Sequence, residues 1–303
     1  MLSIAVITPS LNQGRFIERT IRSVLDQAYA PIEYVVCDGA STDDTLALLE
    51  RFDGRLTAIS EPDRGQADAV NKGIRRTSSD VIGWLNSDDV YQPDALSLVA
   101  DAFTTWPAAD VVYGDAQLLD VDDSVLGAYY TEPWNPSRLP ERCILCQPAV
   151  FFRRRVVDRL GVLDERLHYC LDYEYWLRLA AGGALFRYVP KLLAGSRLYP
   201  ETKTLRARLA LHDELNTMLR ERLGRVPDSW LLNHAHTLVE LSRASHRPHL
   251  VPYALAVVLQ CAALSWRWNG SVSPGLMRTA LGPVASGVGR RLTESGLSTS
   301  RSP

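Results

Sequence analysis

The first hundred residues alternate between short apolar runs and segments in which apolar residues recur every three or four positions. The apolar runs have strand length and predict buried strands at residues 4–7, 32–37, 56–59 and 81–85. The periodic segments predict helices at residues 16–28, 46–52 and 66–76, with a capping box between Ser41 and Asp44 before the second. Strands that alternate with helices indicate βαβ units and a largely parallel sheet.

The pattern becomes less regular after Pro93. Further helices are expected at residues 95–103 and 171–181, and further strands at 111–113, 125–130 and 149–152. From residue 201 the periodicity is helical, which predicts helices at 203–223, 228–244 and 249–268. The tail is rich in Gly, Ser and Arg, as is typical of loosely ordered segments. We therefore expect an α/β domain over residues 1–200, a helical region over 201–268 and a flexible tail over 269–303.

The composition narrows the classes of function. Apolar residues make up 46% and charged residues 22% of the 303 residues, which excludes wholesale disorder. The formal net charge of −2 excludes a global positive field that would attract nucleic acid, so no nucleic-acid partner is expected. Residues 201–303 nevertheless contain 13 Lys and Arg against seven Asp and Glu. This local positive charge suggests an anionic surface near the C-terminal region.

The cysteines indicate a reducing compartment. Five cysteines are an odd number for a disulfide framework, and the C-x-x-C motif of Cys143 and Cys146 has no second pair to complete a zinc site. We therefore expect reduced thiols and a cytoplasmic location. Residues 3–7 predict a strand, in contrast to the charged and apolar regions of a secretory leader.

Polar clusters follow the apolar strands of the N-terminal half. They contain Thr8, Pro9 and Ser10 after the first strand, Asp38 after the second, Arg64 after the third, and Asn86, Ser87, Asp88 and Asp89 after the fourth. The carboxyl ends of parallel strands meet at one edge of an open α/β sheet, and ligands bind at that edge. We therefore expect these side chains to lie together in a binding site.

Two adjacent carboxylates at Asp88 and Asp89 repel each other unless a cation lies beside them. A surface turn is the alternative, since Ser-Asp-Asp is common in turns, but the position after a buried strand favours a cation. Mg²⁺ is usually bound by one or two carboxylates together with phosphates. Two roles stay open for Asp38, either in a turn or as an acceptor for a nucleobase N–H. Arg64 either pairs with Asp63 or faces a base or phosphates.

Asp172 lies near the start of the helix expected at residues 171–181, one turn before Trp176. It could cap the helix, because a carboxylate is favoured at a helix N-terminus. It could also act as a general base, because neighbouring aromatic side chains raise the pKa of a carboxyl group.

Six segments, in their order along the chain, resemble glycosyltransferase family 2. They are ITPSLN at 7–12, VCDGASTD at 36–43, EPDRGQADAVNKG at 61–73, WLNSDD at 84–89, QPAVFF at 147–152 and DYEYWLR at 172–178. Together they cover the first two hundred residues, and their order makes the resemblance specific. Members of this family have the GT-A fold, so the resemblance implies a Rossmann-like, mostly parallel sheet flanked by helices.

The resemblance also implies a role for each candidate residue. Asp88 would be the metal ligand with Asp89 beside it, while Asn86 stands where the family's D-x-D motif has its first acid. Asp172 would be the catalytic base of an inverting enzyme, with Leu171 at a position that is often acidic. The nucleotide-binding residues would be Thr8, Pro9, Ser10, Asp38, Arg64, Asn86 and Ser87. Many relatives have a histidine close to the position of Tyr199, where a phenol is a poor Mg²⁺ ligand.

By the same resemblance, the chain would be a metal-dependent, inverting glycosyltransferase that uses Mg²⁺ or Mn²⁺ and a nucleotide-sugar donor, with UDP as the default. Residues 1–100 would bind the nucleotide and residues 101–200 the acceptor. The acceptor would be a saccharide or lipid-linked, in cell-surface polysaccharide or glycolipid biosynthesis. The Q-x-x-R-W motif of processive synthases is missing after Asp172, which indicates a single transfer.

Two other functions stay open. A nucleotidyltransferase also uses an α/β nucleotide domain and Mg²⁺, but it would have a Gly-rich loop where residues 8–14 stand. A catalytically silent binder of sugar nucleotides would tolerate Asn86, although Asp88 and Asp172 count against it. An NAD-dependent oxidoreductase is disfavoured, because no G-x-G-x-x-G follows the first strand.

The apolar helix at residues 249–268 also has two interpretations. Pro252 and Gln260 interrupt it and count against a membrane-spanning helix. We expect it to pack within the helical region. The alternative is a helix that lies on the inner membrane surface, helped by Arg243 and Arg247 before it and Arg267 after it.

Overall fold

The computed structural model describes residues 1–242 and 250–285. The chain forms two compact units, and all candidate site residues lie in the first. The first unit contains Met1–Pro136 and Cys143–Pro200, and the second contains Ser137–Arg142 and Glu201–Pro303. The five cysteines all lie among the described residues, and they form no disulfide bond.

Within the described residues, the first unit contains one nine-stranded sheet. The strands are β1 (Ile4–Ser10), β2 (Ile32–Asp38), β3 (Thr57–Ser60), β4 (Val81–Trp84), β5 (Val90–Tyr91), β6 (Val111–Leu119), β7 (Val125–Ala128), β8 (Val150–Arg153) and β9 (Phe186–Arg197). Their order is β3-β2-β1-β4-β8-β6-β9-β5, and β7 pairs with β6.

The N-terminal part of this sheet has the predicted topology. β1 is parallel to β2 and β4, and β2 is parallel to β3. The second half is mixed, whereas a mostly parallel sheet is expected from the sequence. β8 is antiparallel to both β4 and β6, although β6 and β9 are parallel. Two parallel neighbouring strands need a crossover connection between them. β8 instead follows the long irregular segment after β7, and this segment brings it back antiparallel to its neighbours.

Helices flank the sheet. Those of the first unit are α1 (Ile17–Leu25), α2 (Thr45–Glu50), α3 (Gln66–Arg76), α4 (Ala95–Thr105), α5 (Arg154–Leu160) and α6 (Leu171–Ala181). Helix α3 packs closely on β1 at Gly73, where an added Cβ would lie 2.4 Å from Cγ2 of Ile7. A side chain at this position would therefore push α3 away from the sheet.

Strand β9 is a long element that the sequence pattern does not predict. Pro190 and Gly195 lie within it, and both residue types normally count against a strand. The ladder with β6 is irregular at this point: Gly114 pairs with Val189, whereas Asp115 pairs with Leu192. The irregularity leaves Pro190 outside the ladder, so its missing N–H is not needed.

The second unit is helical in its described residues. Its helices are α7 (Lys203–Arg206), α8 (Arg208–Leu223), α9 (Asp228–Ser242), α10 (Leu250–Asn269) and α11 (Pro274–Ala285). Helix α11 falls in the tail that is expected to be flexible. It packs against α9 and α10 and buries Leu276 and Ala280, so part of this tail has an apolar face to bury.

Some of the expectations for the C-terminal region concern residues that the structure does not describe. Outside the described residues are residues 243–249, which contain the basic side chains before the apolar helix, and residues 286–303, which belong to the expected tail. Across the described ranges 1–242 and 250–285, no helix combines the length and the hydropathy needed to cross a membrane.

Candidate active site

The ends of β1, β2 and β3 place three polar residues in register at one edge of the sheet. Ser10 pairs with Asp38, and Asp38 pairs with Ser60. The loop after β4 starts at the same edge, because β4 is parallel to β1. The structure therefore brings together the polar residues that follow the first four strands.

Asp38, Ser41 and Ser60 form a group that we call the Asp38 cluster. Oδ2 of Asp38 accepts the N–H of Ser41 at 2.9 Å and the hydroxyl of Ser60 at 2.7 Å, and Oδ1 accepts the hydroxyl of Ser41 at 2.5 Å. The predicted capping box is therefore wrong, because Ser41 binds Asp38. Asp43 instead accepts the N–H of Thr45 at 3.0 Å.

A shallow concave surface lies beside Asp38, at the carboxyl ends of β2 and β3. Its lining combines apolar and charged side chains, namely Cys37, Asp38, Ile59, Glu61, Asp63, Ala69 and Lys72. Lys72 Nζ lies 3.1 Å from a carboxylate oxygen of Glu61 and also donates to the carbonyl oxygen of Pro62. The Asp38 cluster thus lies beside a polar concave surface.

Thr8, Pro9 and Ser10 are buried at the end of β1. The Thr8 hydroxyl lies 3.3 Å from the hydroxyl of Tyr34, so it has a partner in the protein. The Ser10 hydroxyl is buried and has no hydrogen-bond partner within the described residues. Such a group is costly to leave unsatisfied, which makes it a candidate for contact with a ligand or a water molecule.

Arg64 does not pair with Asp63, the partner considered from the sequence. Its guanidinium contacts Asp68 at 3.2 Å and Glu165 at 2.5 Å, and its side chain is 73% exposed. The Asp63 carboxylate instead accepts the N–H of Gly65 at 2.9 Å. Arg64 therefore connects the start of α3 to the segment that precedes α6.

Residues 86–89 follow β4 and form a turn that we call the Asp88 turn. The side chain of Asn86 makes four hydrogen bonds there: Oδ1 accepts from Gln66 and Trp84, and Nδ2 donates to Asp89 and Gln147. An ionised Asp at this position could not donate the last two bonds. The hydrogen-bond network therefore explains why an amide stands where the family motif has an acid.

Asp89, the second acid expected at the metal, is directed into the protein. It is 3% exposed, its Oδ1 accepts the backbone N–H of Arg197 at 3.0 Å, and its Oδ2 accepts the Asn86 amide at 3.2 Å. Burial and the neighbouring charge of Asp88 raise the pKa of Asp89 to about 8. Asp89 thus links the turn to the end of β9.

The three backbone carbonyl groups of residues 87–89 are all hydrogen-bonded to distant residues. The hydroxyl of Thr20 donates to the carbonyl oxygens of Ser87 at 2.9 Å and of Asp89 at 2.7 Å. The guanidinium of Arg197 donates to the carbonyl oxygen of Asp88. Sequence reasoning missed Thr20 and Arg197, because neither belongs to a motif and both lie far from the turn along the chain.

Asp88 is half-buried at the tip of this turn. Its Oδ2 accepts a hydrogen bond from the hydroxyl of Tyr199 at 2.8 Å. Burial, followed by the charge of Asp88, raises the pKa of Tyr199 above its usual value. The phenol therefore stays protonated at neutral pH and remains a donor to the carboxylate.

The carboxylate of Asp88 fits one kind of metal ion. Among residues 1–242 and 250–285, no group of three or more His, Cys, Asp or Glu could hold an ion by itself. Asp88 supplies a half-buried carboxylate just after the end of β4. Mg²⁺ is commonly bound in this way, with one or two carboxylates and the remaining ligands from phosphates and water. The site therefore fits a hard divalent ion that binds together with a phosphate ligand.

Asp172 is the second residue of α6 and is half-buried. Burial raises its pKa above the usual value, although the backbone N–H groups of Tyr173 and of Asp172 itself act in the opposite direction. Cys170 occupies the N-cap position, and its side chain makes no capping hydrogen bond. Asp172 thus contacts the helix N-terminus, as a cap would, and also has the raised pKa that a general base needs.

The charges of Asp172 and of Asp89, in the Asp88 turn, act on the same two side chains, Tyr129 and Cys146. Burial raises the pKa of Tyr129 and of Cys146, and the charges of both Asp172 and Asp89 add to the shift in each case. Because such interactions fall off with distance, Asp89 and Asp172 lie near the same buried groups.

The family model for "Glycosyl transferase family 2" matches residues 5–161 of the chain. This range includes the Asp38 cluster and the Asp88 turn, and it ends before Asp172. Among curated proteins, the chain is 26% identical over 206 residues to a chondroitin synthase of Escherichia coli, which covers 67% of this chain and 30% of that protein. The chain therefore spans about a third of the length of that relative.

A second relative is closer in size. The chain is 28% identical over 196 residues to a PGL/p-HBAD biosynthesis glycosyltransferase of Mycobacterium bovis, which covers 63% of this chain and 75% of the relative. Both relatives are glycosyl-transferring or polymer-forming enzymes by name. The regions of this chain that align with these two relatives are longer than the region that the family model matches.

Two solved structures share the fold. TarS 1–349 of S. aureus in complex with UDP-GlcNAc superposes with a TM-score of 0.63 at 16% identity, over 94% of this chain and 92% of that one. The mannosyltransferase PcManGT from Pyrobaculum calidifontis, in complex with GDP-Man and Mn²⁺, has a TM-score of 0.57 at 19% identity, over 93% and 86%. These likenesses show the GT-A type of fold that the resemblance implies. Since the family model matches more than half of its residues, the chain belongs to glycosyl transferase family 2.

Proposed function

We propose that this chain transfers one sugar from a nucleotide-sugar donor to a hydroxyl group of an acceptor, with inversion at the anomeric carbon. The observation that carries the proposal is the Asp88 turn, which α1 and the end of β9 hold by hydrogen bonds at the edge of the sheet where α/β proteins bind ligands. TarS has been crystallised with UDP-GlcNAc and PcManGT with GDP-Man, which supports a nucleotide sugar as the donor. We propose UDP as its nucleotide.

The Asp38 cluster and the concave surface beside it would bind the nucleoside. A carboxylate has about four acceptor positions, and three of those on Asp38 are used within the protein, which leaves one for a base N–H. Thr8, Pro9 and Ser10 would lie under the nucleoside, with the Ser10 hydroxyl as a further donor. The exposed guanidinium of Arg64 would turn from Asp68 and Glu165 towards the phosphates.

Asp88 would hold Mg²⁺ or Mn²⁺ together with the diphosphate of the donor. When bound, such an ion neutralises the charge that develops on the leaving diphosphate. We assign Asp89, Asn86 and Ser87 to a different task, because their polar groups are engaged within the protein. They fix the shape of the turn and so the position of Asp88.

Asp172 would act as the general base. It would take the proton of the acceptor hydroxyl while that oxygen forms a bond to the anomeric carbon. The bond from the anomeric carbon to the diphosphate oxygen breaks in the same step, and the nucleoside diphosphate leaves with the electron pair. One in-line displacement through an oxocarbenium-like transition state inverts the configuration. A base with a raised pKa is a stronger proton acceptor, which suits this role.

The test compares ligands for their effect on thermal unfolding. UDP, GDP and their sugars are added to the purified chain with and without Mn²⁺, since a ligand that binds only the folded state raises its stability. We expect one nucleoside diphosphate to stabilise the chain, more strongly with Mn²⁺, and Asp88→Asn to remove the effect of the metal. Stabilisation only by a nucleoside triphosphate, with release of pyrophosphate when a sugar phosphate is added, would favour a nucleotidyltransferase and contradict the proposal.

We also propose that the chain acts in the cytoplasm and contacts an anionic membrane surface through α10. Val257, Cys261 and Leu264 are buried on one side of this helix. The other side exposes an apolar stripe of Leu255, Leu259 and Trp266, which are 53%, 62% and 66% exposed. Helix α10 contains no acidic residue and ends near Arg267, so its charge is complementary to anionic lipid. Such a contact would suit a lipid-linked acceptor.

Flotation with lipid vesicles tests this contact. We expect the chain to float with vesicles that contain phosphatidylglycerol, and to a lesser extent with vesicles of phosphatidylcholine alone. The double variant Leu255→Asp/Leu259→Asp should lose this binding. The matched control is Val125→Asp/Leu126→Asp on β7, where the side chains are 61% and 54% exposed. Equal binding by both double variants would contradict the proposed contact.

A further inference from the structure

Two residues, Arg197 at the end of β9 and Tyr199 just after it, contact Asp88 at two different points. The guanidinium of Arg197 donates to its backbone carbonyl oxygen, and the hydroxyl of Tyr199 donates to Oδ2 of its carboxylate at 2.8 Å. The first bond fixes the backbone of Asp88, and the second fixes the side chain. Asp88 therefore has little freedom to change its position or its rotamer.

Tyr199 is itself held in place. It is 9% exposed, and its ring lies 5.0 Å from the ring of Phe16, at an angle of 42°. Because Phe16, directly before α1, packs on the ring, the movement of the Tyr199 side chain is restricted relative to the Asp88 turn.

Arg197 is equally constrained. Its side chain is fully buried, its guanidinium pairs with Asp123, and it lies over the ring of Phe16 at 5.1 Å. Asp123 also pairs with Arg19 of α1. The backbone N–H of Arg197 meanwhile donates to Asp89. The end of β9 is thus joined to both acids of the turn and, through Asp123, to α1.

We propose that Tyr199 is a positioning residue for Asp88, an inference that rests on the proposed role of Asp88 as the metal ligand. By holding Oδ2, the phenol fixes the rotamer in which the other carboxylate oxygen, Oδ1, is presented to the cation. A tyrosine hydroxyl can donate to a carboxylate without competing for the metal, because a neutral phenol is a poor ligand for Mg²⁺ or Mn²⁺. Arg197 serves the same end through the backbone.

The physical reason is preorganisation. A free Asp side chain samples several rotamers, and binding an ion to one of them costs free energy. Hydrogen bonds to an ionised acceptor are stronger than those between neutral groups, so the Tyr199 contact favours one rotamer before the ion arrives. Without it, the carboxylate would have to be ordered by the ion itself, and the affinity for the ion would fall.

The test measures Mn²⁺ binding directly, by the loss of the free Mn²⁺ signal in electron paramagnetic resonance, in the presence of saturating UDP. We expect Tyr199→Phe to weaken Mn²⁺ binding about tenfold, which corresponds to about 1.4 kcal/mol. Turnover by this variant should recover at high Mn²⁺ concentration, because only the occupancy of the site is reduced. Circular dichroism checks that the variant is folded.

Tyr91→Phe is the matched control. The hydroxyl of Tyr91 is also buried but has no hydrogen-bond partner within the described residues, so its removal takes away a phenol oxygen without breaking a contact. We expect Tyr91→Phe to bind Mn²⁺ as the unmodified chain does. Unchanged or tighter Mn²⁺ binding in Tyr199→Phe would overturn the inference, as would equal weakening in both variants.

Asp88→Asn separates the two levels of the proposal. If this substitution abolishes Mn²⁺ binding while Tyr199→Phe leaves it unchanged, the metal site stands and only the positioning role falls. If Asp88→Asn itself leaves Mn²⁺ binding unchanged, the metal assignment in the proposed function falls, and the role of Tyr199 falls with it.

Discussion

The Asp38 cluster and the Asp88 turn lie at the same edge of one sheet, but they are held in different ways. Asp38 binds Ser41, three residues away, and Ser60, at the end of the adjacent strand. The Asp88 turn instead depends on Thr20, Arg197 and Tyr199, which lie between 67 and 111 residues away. The first region is a local structure, whereas the second forms only when the whole first unit has folded.

This difference suggests a division of work. A cluster built from neighbouring segments can shape a pocket for a nucleoside. A metal ligand must be placed to within a fraction of an ångström, and long-range contacts from several elements provide this accuracy. The two regions should therefore respond differently to substitution.

The largest effect is expected at Asp172, outside both regions. Asp172→Asn removes the general base, and this typically costs about 10²–10⁴-fold in rate. Binding of UDP and Mn²⁺ should be unchanged, because both binding regions stay intact. Steady-state kinetics with the donor and calorimetric titration with UDP provide the two measurements. A variant that turns over normally would exclude Asp172 as the base.

The pH dependence of the rate provides a second test of Asp172. The base must be deprotonated to act, so the rate should fall as the pH is lowered through its pKa. Because burial raises this pKa, the fall should begin at a higher pH than for an exposed Asp. The acid limb should disappear from the residual activity of Asp172→Asn. An acid limb that is the same in both proteins would assign it to another group.

Substitution of Arg197 should have the largest effect on the Asp88 turn. Arg197→Met leaves Asp123 without its buried partner and the carbonyl of Asp88 without a donor, and breaking a buried pair in this way costs about 3 kcal/mol. Urea unfolding measures the loss. Arg19→Met is the control, since Arg19 pairs with the same Asp123 but is 48% exposed and should cost less than about 1 kcal/mol. Equal losses would show that the burial of Arg197 is unimportant.

The smallest effects come from two hydroxyl groups, one in each region. Thr20→Val leaves two buried carbonyl groups without a donor and should cost about 1–2 kcal/mol. Ser41→Ala removes the hydroxyl that donates to Asp38 and accepts from the N–H of Asn12, and it should cost about 1 kcal/mol. Thr20→Val should weaken Mn²⁺ binding, whereas Ser41→Ala should weaken binding of uridine without metal. If each variant impaired both ligands equally, the division of work would be wrong.

The same difference determines what could be predicted from the sequence. The parallel strands β1 to β4 have clear apolar runs, so the edge that collects Ser10, Asp38 and Asp88 follows from their order alone. The predicted capping box fails because Asp38 competes for Ser41, and local patterns do not show which of two acceptors a serine will bind. Helix α11 was missed because its apolar residues lie in a segment with the composition of a flexible tail.

The partners of the Asp88 turn could not be predicted from the sequence. Arg197 lies at the end of β9 and Tyr199 just after it, and this strand contains Pro190, which conceals the strand pattern. A single buried arginine or tyrosine carries no local signal for the residue it will contact. Tyr199 attracts attention only through the family resemblance, and its contact with Asp88 required the structure.

The most direct test of the account is a crystal structure of the chain with UDP and Mn²⁺, with the ion located by its anomalous scattering. We expect one Mn²⁺ peak that lies about 2.0–2.1 Å from a carboxylate oxygen of Asp88, the distance typical of Mg²⁺, and that is also bound to the diphosphate. The hydroxyl of Tyr199 should still contact the other oxygen. A Mn²⁺ ion bound without Asp88, or a nucleotide bound away from the carboxyl edge, would contradict it.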